Sequence, residues 1–272
     1  MRIKTVLVAA AASLLVGCFT PKSQWLAVQQ PGARSPGDYS GLESFLATPK
    51  LVTAGQVKRW CRQKSPVRVL IWGQSIAEQF SAEAIKQQLQ STRDGCEFEV
   101  RNAARGGCVA QCLTGEIPWR AGGVAQPVDY FAKDVIPFRP QLVIFHVYGS
   151  HIAYNELMAR FHQETKARVL LLTDHISAQP DTQSWSDTMA WQHLPAIAAD
   201  HGFVIADSRL AWRQYLYETN LPPQALLRDK VHLNQEGEAL YLYFISHALV
   251  GGKNSSVAVR LSMPLLSLSS YH

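Results

Sequence analysis

Short apolar runs alternate with longer amphipathic segments along residues 67–250, and this alternation limits the fold more than any other feature of the chain. The first run, over residues 67–72, is almost entirely apolar, which is typical of a strand buried on both faces. Such strands alternating with helices predict a parallel sheet covered by helices on both sides, and therefore an α/β fold class. The predicted strands are 67–72, 96–101, 141–148, 168–173 and 203–207, and the predicted helices are 54–63, 75–91, 152–165, 184–201 and 236–250.

Small and polar residues follow three of the predicted strands, at the sheet edge where parallel sheets bind their ligands. Ser75, after the first strand, has two interpretations at this point. It caps the following helix, or it is a nucleophile held at the end of a strand. The three groups are Gly73-Gln74-Ser75, Gly106-Gly107 and Gly149-Ser150-His151.

A serine nucleophile needs a base, and the base needs a group that orients it. Among nine histidines, His232 differs because Asp229 precedes it by three residues, directly before the last predicted helix. This spacing lets the carboxylate fold back onto Nδ1 of the imidazole and leaves Nε2 facing outward. The alternative is that both are ordinary loop residues before a helix capped by Asn234. His146 and His175 lie in or just after apolar strands, where packing in the core is the commoner explanation.

The bulk composition indicates one well-packed domain with appendages, since the 272 residues are 47% hydrophobic and 17% charged. The formal net charge of +5 comes without a block of lysine or arginine, so we expect no nucleic-acid partner. The sequence shows no internal repeat, and we expect no transmembrane segment.

The first residues are typical of an export signal, with basic residues before an apolar core over 6–16 that is too short to span a bilayer comfortably. The core ends in LVGC, which resembles the bacterial lipobox. The resemblance implies cleavage before Cys18 and a lipid on its thiol that anchors the chain to a membrane. The alternative is an ordinary signal peptide with a chance cysteine. Phe19, in place of Asp, fits outer-membrane sorting in a Gram-negative host, facing the periplasm or the cell surface.

Four cysteines remain after Cys18, and an even number in an exported chain favours two disulfides. Metal binding is the alternative. Cys108-x-x-x-Cys112 could supply two ligands, but no second pair of residues has a spacing suitable for the other ligands, so we expect no metal. Four cysteines allow three pairings. They are Cys61, Cys96, Cys108 and Cys112.

Four sequence blocks together resemble the SGNH hydrolases, also called the GDSL esterase/lipase superfamily. The blocks are Gly73-x-Ser75, Asn-x-x-x-Gly-Gly from Asn102 to Gly107, Gly149-Ser150-His151 and Asp229-x-x-His232. The resemblance covers residues 67–250 and implies a flavodoxin-like three-layer α/β/α sandwich with a mainly parallel five-stranded sheet. It also implies an esterase mechanism without a cofactor, with Ser75 as nucleophile, His232 as base and Asp229 as its orienter. Main-chain N–H groups of Ser75 and Gly107 would form the oxyanion hole.

The resemblance also organises the rest of the chain. In this fold the segment before the first strand neighbours the start of the second, so Cys61 is expected to pair with Cys96. Cys108 and Cys112 are close enough to pair within one loop. The expected parts are a lipoprotein signal peptide over 1–17, a tether and N-terminal wrap over 18–64, the hydrolase domain over 65–250 and a C-terminal tail over 251–272.

Two departures from the family pattern affect the site. Gln74 replaces the usual Asp of the first block. The resulting Gly-Gln-Ser is similar to the first block of sialate and xylan acetylesterases, although Ile76 stands where these usually have Asn. In the third block the family has Gly-x-Asn, whose Asn side chain donates to the oxyanion. This chain has His151 there, and Asn155 follows one helical turn later as an alternative donor.

These observations predict an exported serine esterase that removes acyl groups, most simply acetyl groups, from a carbohydrate or polysaccharide. One alternative is a lipase or thioesterase of the same fold. Another is a non-hydrolytic or acetyltransferase-type protein that modifies envelope polysaccharide. Three tryptophans in loops or at helix starts stack on sugar rings or pack in the core; they are Trp119, Trp185 and Trp191.

Overall fold

The structure, a computed structural model, describes residues 31–46, 59–62, 65–91 and 95–250. The expected signal peptide over 1–17, the lipid-bearing Cys18 and the tail over 251–272 lie outside these ranges. Within the described ranges, no helix has both the length and the apolar character that crossing a membrane requires.

Five parallel strands form the sheet: β1 Val67–Gly73, β2 Phe98–Asn102, β3 Leu142–His146, β4 Arg168–Leu172 and β5 Val204–Ala206. Their order across the sheet is β2-β1-β3-β4-β5, and every neighbouring pair is parallel. Each strand overlaps a predicted one. For the central strands β1, β3 and β4 the reason is that a strand buried on both faces leaves an apolar run in the sequence, whereas the edge strands β2 and β5 are only partly buried. The order is that of the flavodoxin-like doubly wound fold, so the predicted fold class is confirmed.

Two layers of helices cover the sheet. Val69 and Ile71 of β1 point into one core, and Leu70 and Trp72 point into the other, because side chains alternate along a strand. The helices are α1 Ser75–Glu78, α2 Ala82–Ser91, α3 Ala110–Thr114, α4 Ile136–Phe138, α5 His151–Glu164, α6 Gln183–Thr188, α7 Leu194–His201, α8 Ser208–Thr219 and α9 Gln235–Val250, with π-helical turns at Phe131–Val135 and Met189–His193. Residues of α1, α2, α8 and α9 fill the first core, and residues of α3, α4, α5 and α7 fill the second, which confirms the three-layer sandwich.

The predicted helix over 75–91 is in fact two helices, α1 and α2, with a break at residues 79–81. Asn102, at the end of β2, causes the break by capturing carbonyl groups that a continuous helix would use. Its side-chain Nδ2 lies 2.9–3.2 Å from three main-chain oxygens, those of Ala77, Glu78 and Phe80. This contact comes from another strand, so the apolar period of the segment does not reveal it.

Helix α8 is absent from the sequence prediction because two of its inward-facing residues are charged. Arg209 is fully buried and donates to Asp187 Oδ1 at 2.6 Å and to the carbonyl oxygen of His175 at 2.5 Å. Glu218 is also buried, and it pairs with Arg34 of the N-terminal segment at 2.5 Å. Charges on the inner face hide the apolar repeat on which helix prediction depends.

The structure contains both of the expected disulfides, Cys61–Cys96 and Cys108–Cys112. The first joins the segment before β1 to the residues before β2, across a sequence separation of 35. The second closes a short turn at the start of α3, with a separation of 4. The longer bridge removes more conformational freedom from the unfolded chain.

We expect the double substitution Cys61→Ser with Cys96→Ser to lower the free energy of unfolding by about 3–4 kcal/mol, since the lost cross-link frees a long loop in the unfolded state. Urea unfolding followed by circular dichroism measures this loss. The m value should rise with it, because the unfolded chain becomes less compact. A variant with an unchanged free energy of unfolding would contradict the expected role of this bridge.

Candidate active site

The candidate site lies where β1 and β3 end side by side. After β1 the chain enters α1 in one helix layer, and after β3 it enters α5 in the other. Open parallel sheets bind ligands in the crevice that such a divergence creates. Ser75 begins α1 and His151 begins α5, so the first and third sequence blocks flank this crevice.

The main chains of β1 and β3 approach closely at the crevice. Gly73 has a φ of 140°, and a Cβ atom there would lie 1.8 Å from the carbonyl oxygen of His146. Gln74 donates its main-chain N–H to that oxygen at 3.0 Å, and its side-chain Oε1 accepts the N–H of Tyr148 at 3.1 Å. Gln74 therefore ties the residue before the third block to the first block, so this glutamine has a structural use at the crevice.

Ser75 is the first residue of α1 and does not cap it. The cap position is occupied by Gln74, whose side chain makes no capping hydrogen bond. Within the described part of the chain, Ser75 Oγ has no hydrogen-bond partner. Ser150, the corresponding serine of the third block, is a real cap and accepts the N–H of Ala153 at 3.2 Å. The capping interpretation thus applies to Ser150 and leaves the hydroxyl of Ser75 available for chemistry.

The loop of the second block is held by a buried ion pair and an indole. The guanidinium of Arg105 binds both carboxylate oxygens of the buried Asp134, at 2.5 and 3.0 Å. Trp119 donates its Nε1–H to the carbonyl oxygen of Gly106 at 2.8 Å. Gly107, with a φ of 73°, is exposed at the tip of this loop. Fixed neighbours therefore hold Gly107 at the surface.

Asp229 and His232 form a hydrogen-bonded turn before α9. Asp229 Oδ1 accepts the main-chain N–H groups of Val231 and His232, both at 2.7 Å, and its Oδ2 lies 2.8 Å from His232 Nδ1. These hydrogen bonds, the main-chain ones foremost, hold the pKa of Asp229 well below its usual range. A carboxylate only accepts, so the proton lies on Nδ1, and Nε2 of the neutral ring keeps its lone pair.

Gln79 connects the segment of His232 to the helix that begins with Ser75. It directly follows α1, and its side-chain amide donates to Leu233 O at 2.9 Å and accepts from Leu233 N at 3.1 Å. The hydroxyl of Ser75 and Nε2 of His232 are not hydrogen-bonded to each other in this structure. Contacts of this kind are often long without substrate and tighten in the complex.

The two candidate oxyanion donors of the third block contact different histidines. The ring of His151 is exposed and stacks on His193, with centroids 4.2 Å apart and an angle of 7° between the ring planes. Asn155 places its Oδ1 2.8 Å from Nε2 of His201 at the end of α7. The Asn155 carbonyl is thus engaged with α7, whereas His151 directly follows the Gly149-Ser150 turn. Neither contact is visible in the sequence, because each joins segments that are distant along the chain.

A largely buried carboxylate, Asp174, lies behind the third block and comes two residues after the end of β4. It accepts hydrogen bonds from the hydroxyl of Tyr148 and from Ser186 Oγ, the latter at 2.9 Å. His175 Nδ1 lies 3.2 Å from Asp174 Oδ1, and His146 Nε2 lies 3.8 Å from it. Burial alone would raise the pKa of Asp174, but His175, His146 and Tyr148 together lower it to about 2. Burial lowers the pKa of His146 to about 4, so that imidazole is neutral at neutral pH.

The side chains of the described residues offer no obvious place for a metal ion. No group of three or more histidine, cysteine, aspartate or glutamate residues in these ranges has the arrangement that a metal would need. The four cysteines in these ranges are all in disulfides, so none of them is a free thiolate ligand.

Comparison with known proteins supports the fold. No protein-family model and no curated protein matches this chain. An α/β hydrolase enzyme from the metagenome of Lake Arreo, Spain, matches with a TM-score of 0.52 at 15% identity, over 68% of this chain and 97% of that chain. Axe2, an acetylxylan esterase from Geobacillus stearothermophilus, matches with a TM-score of 0.54 at 17% identity, over 70% of this chain and 96% of that chain. At such low identity, these matches show a shared α/β hydrolase-like fold.

The Geobacillus stearothermophilus enzyme also matches as three variants described as catalytic mutants, each with a TM-score of 0.53–0.55. They replace one serine, one aspartate and one histidine by alanine, and the aspartate precedes the histidine by three positions in that enzyme.

Proposed function

We propose that this protein is an ester hydrolase in which Ser75 is the nucleophile, His232 the base and Asp229 the residue that orients the base. The observation that carries the proposal is the Asp229–His232 turn, which fixes Nδ1 and leaves Nε2 open, on a segment that Gln79 ties to the helix of Ser75. The catalytic Ser, Asp and His of the Geobacillus stearothermophilus esterase support it, because they share the Asp-x-x-His spacing.

The chemistry follows from these positions. Ser75 Oγ attacks the ester carbonyl while Nε2 of His232 takes its proton, and the carboxylate of Asp229 stabilises the resulting imidazolium. The imidazolium then gives the proton to the leaving alcohol, and an acyl group remains on Ser75. Water, deprotonated by the same nitrogen, attacks the acyl-enzyme and releases the acid and the free serine. This route uses neither a metal nor a cofactor.

We expect Ser75→Ala to lower kcat by about 10⁴-fold on p-nitrophenyl acetate while the melting temperature changes little, because the half-buried hydroxyl makes no structural hydrogen bond. Fluorophosphonate labelling followed by peptide mapping should place the adduct on Ser75. Ser150→Ala is the matched control, since it removes the hydroxyl that caps α5: it should cost about 1 kcal/mol of stability and keep the labelling. Activity of Ser75→Ala within tenfold of wild type would overturn the assignment.

The oxyanion hole of the proposal combines the main-chain N–H groups of Ser75 and Gly107 with a side-chain donor from the third block. His151 is the preferred third donor, because it occupies the position of the family asparagine and an imidazole can donate an N–H. The contact between Asn155 and His201 makes Asn155 the second choice.

A pair of single substitutions decides between these donors. His151→Ala should lower kcat on an acetyl ester by about 10²-fold, because a lost donor no longer stabilises the charge that develops in the transition state. Asn155→Ala, one helical turn along α5, is its control and should keep kcat within about threefold. A large loss confined to Asn155→Ala would transfer the role to that residue, and no loss in either would mean that main-chain donors suffice.

We propose an acetylated carbohydrate as the substrate, and Trp185 is the residue that favours it. The indole is 43% exposed, its ring centroid lies 6.2 Å from that of Tyr148 beside the third block, and its neighbour Ser186 is anchored on Asp174. An exposed aromatic face next to the reacting centre suits the apolar face of a sugar ring. The neighbour described as an acetyl-xylooligosaccharide esterase points in the same direction.

The other two tryptophans have structural partners. Trp119 supports the second block through its hydrogen bond to Gly106. Trp191 is 37% exposed, but Arg213 lies 4.5 Å from the centroid of its ring and its Nε1–H donates to Asp207 at 3.0 Å. Trp191 is therefore a matched control for Trp185: it is a similarly exposed indole, but its face and its N–H already have partners.

Trp185→Ala should raise KM for acetylated xylo-oligosaccharides about three- to tenfold, the size of one lost stacking contact, and leave kcat/KM for p-nitrophenyl acetate unchanged. Trp191→Ala should change neither. Loss of activity on p-nitrophenyl octanoate, with none on the oligosaccharide, would favour a lipase or thioesterase. Acetyl transfer to a glycan without hydrolysis would favour the acetyltransferase alternative.

We also propose that the enzyme works at the bacterial cell envelope, held by a lipid on Cys18. This part of the proposal rests on the N-terminal sequence, with its apolar core over 6–16 and its lipobox-like LVGC. Outer-membrane sorting follows from Phe19 in a Gram-negative host. An anchored esterase of this kind would meet polysaccharide at the membrane surface.

A further inference from the structure

The main chain on both sides of His232 is held by side chains from two other elements. Before it, the carbonyl oxygen of Val231 lies 2.7 Å from Nε2 of His175. After it, Leu233 is held through both its N–H and its carbonyl by the amide of Gln79, at 3.1 and 2.9 Å. The imidazole of His232 itself is 34% exposed, so surrounding packing restrains it only in part.

His175 is a rigid support for this loop. It is fully buried, and because a carbonyl oxygen only accepts, its Nε2 carries the proton in the contact with Val231. Its Nδ1 lies 3.2 Å from Asp174 Oδ1 but makes no hydrogen bond within the described residues, and its own carbonyl accepts from the buried guanidinium of Arg209 at 2.5 Å. The main chain of His175 is thus fixed by a buried charged group that cannot move without losing its partners, and full burial restricts the ring.

Gln79 provides the second support, from the turn that follows α1. Its Nε2 lies within reach of Glu238 Oε1 in α9, at 3.1 Å, as well as of the Leu233 carbonyl. An amide offers a donor and an acceptor in one plane, so it can hold a peptide N–H and a peptide C=O at once. Because Gln79 stands four residues after Ser75, this support connects the segment of the proposed nucleophile to the loop of the proposed base.

We propose that His175 and Gln79 are positioning residues that hold His232 in its reactive place from opposite sides of the loop. The proposal rests on the proposed function, in which His232 is the base. Asp229 fixes the rotation of the imidazole, and the two supports fix the main chain that carries it. A displacement of about 1 Å at such a base costs on the order of 10²-fold in rate.

The first experiment compares steady-state kinetics on p-nitrophenyl acetate with active sites counted by fluorophosphonate. Gln79→Met and His175→Met, which keep side-chain bulk and remove the hydrogen bonds, should each lower kcat about 10- to 100-fold with KM within twofold. His175→Gln should recover most of this loss, because its amide can still donate to Val231. Gln214→Met is the control: it removes a half-buried glutamine hydrogen bond within α8, to Glu218, and touches neither support of the His232 loop, so it should leave kcat unchanged.

The outcomes separate positioning from a purely structural role. If folded Gln79→Met keeps kcat within twofold, or if only KM changes, the proposal is overturned even when the melting temperature falls. If His175→Met does not fold, Gln79→Met alone decides the proposal, because this substitution leaves the contacts of Asp174 intact. No rescue by His175→Gln, with the protein folded, would also count against the support that His175 gives to Val231.

A second readout does not depend on activity. In protein labelled with ¹⁵N-histidine, the Nδ1–H signal of His232, assigned by its loss in His232→Asn, should be sharp in wild type and in Gln214→Met. It should broaden or disappear in Gln79→Met and His175→Met, because the ring leaves Asp229. An unchanged signal in both would overturn the proposal. If wild type neither hydrolyses esters nor reacts with fluorophosphonate, the proposed function fails, and this readout still decides whether the supports position His232.

Discussion

The parallel contact between the ends of β1 and β3 is the constraint on which the site depends. Gly73 and His146 are register partners, and the two main chains are so close there that no side chain fits on the first of them. Because both strands end at this contact, the chain can leave it in two directions and open a crevice. A slip of one residue would turn every side chain of β1 to the opposite core. Both cores are apolar, so the packing of the large Trp72 side chain among the aromatic rings of its own core fixes the register and the place of Ser75.

Three amide side chains link the Ser75 segment to the other sequence blocks. Gln74 accepts from the residue before the third block, Asn102 of the second block binds carbonyls at the end of α1, and Gln79 holds the segment that follows His232. Each link joins a side-chain amide to main chain, so it does not depend on which side chains the partner loop carries. Loops that are individually exposed therefore become one rigid arrangement.

Behind the crevice, charged side chains with little solvent exposure stand where apolar side chains would be expected to pack. Arg209 is fully buried, the side chain of Asp174 is only 12% exposed, and several polar contacts of this region run through these two residues. Such groups are costly to bury without partners, so their hydrogen bonds define one geometry where an apolar wall would tolerate several. His175 connects this region to the loop of His232 through its contact with Val231. Ser186, the neighbour of the exposed Trp185, connects to it through its hydrogen bond to Asp174.

The sequence alone determined the three central strands, β1, β3 and β4, because a strand buried on both faces must be almost entirely apolar. The edge strands β2 and β5 are only partly buried, and they followed from their place in the alternation of strands and helices. It also determined the Asp229–His232 turn, since three residues of separation suffice to close it. The residues by themselves left three cysteine pairings open, and the resemblance to a known fold selected the pair that the structure contains between Cys61 and Cys96. Only the tertiary structure decided that the helix after Ser75 breaks at Asn102, that α8 exists with Arg209 turned inward, and that Gln79 and His175 meet the two sides of His232. All of these depend on contacts between distant segments, and local periodicity records which face of an element is buried but not which polar group from another strand will meet it.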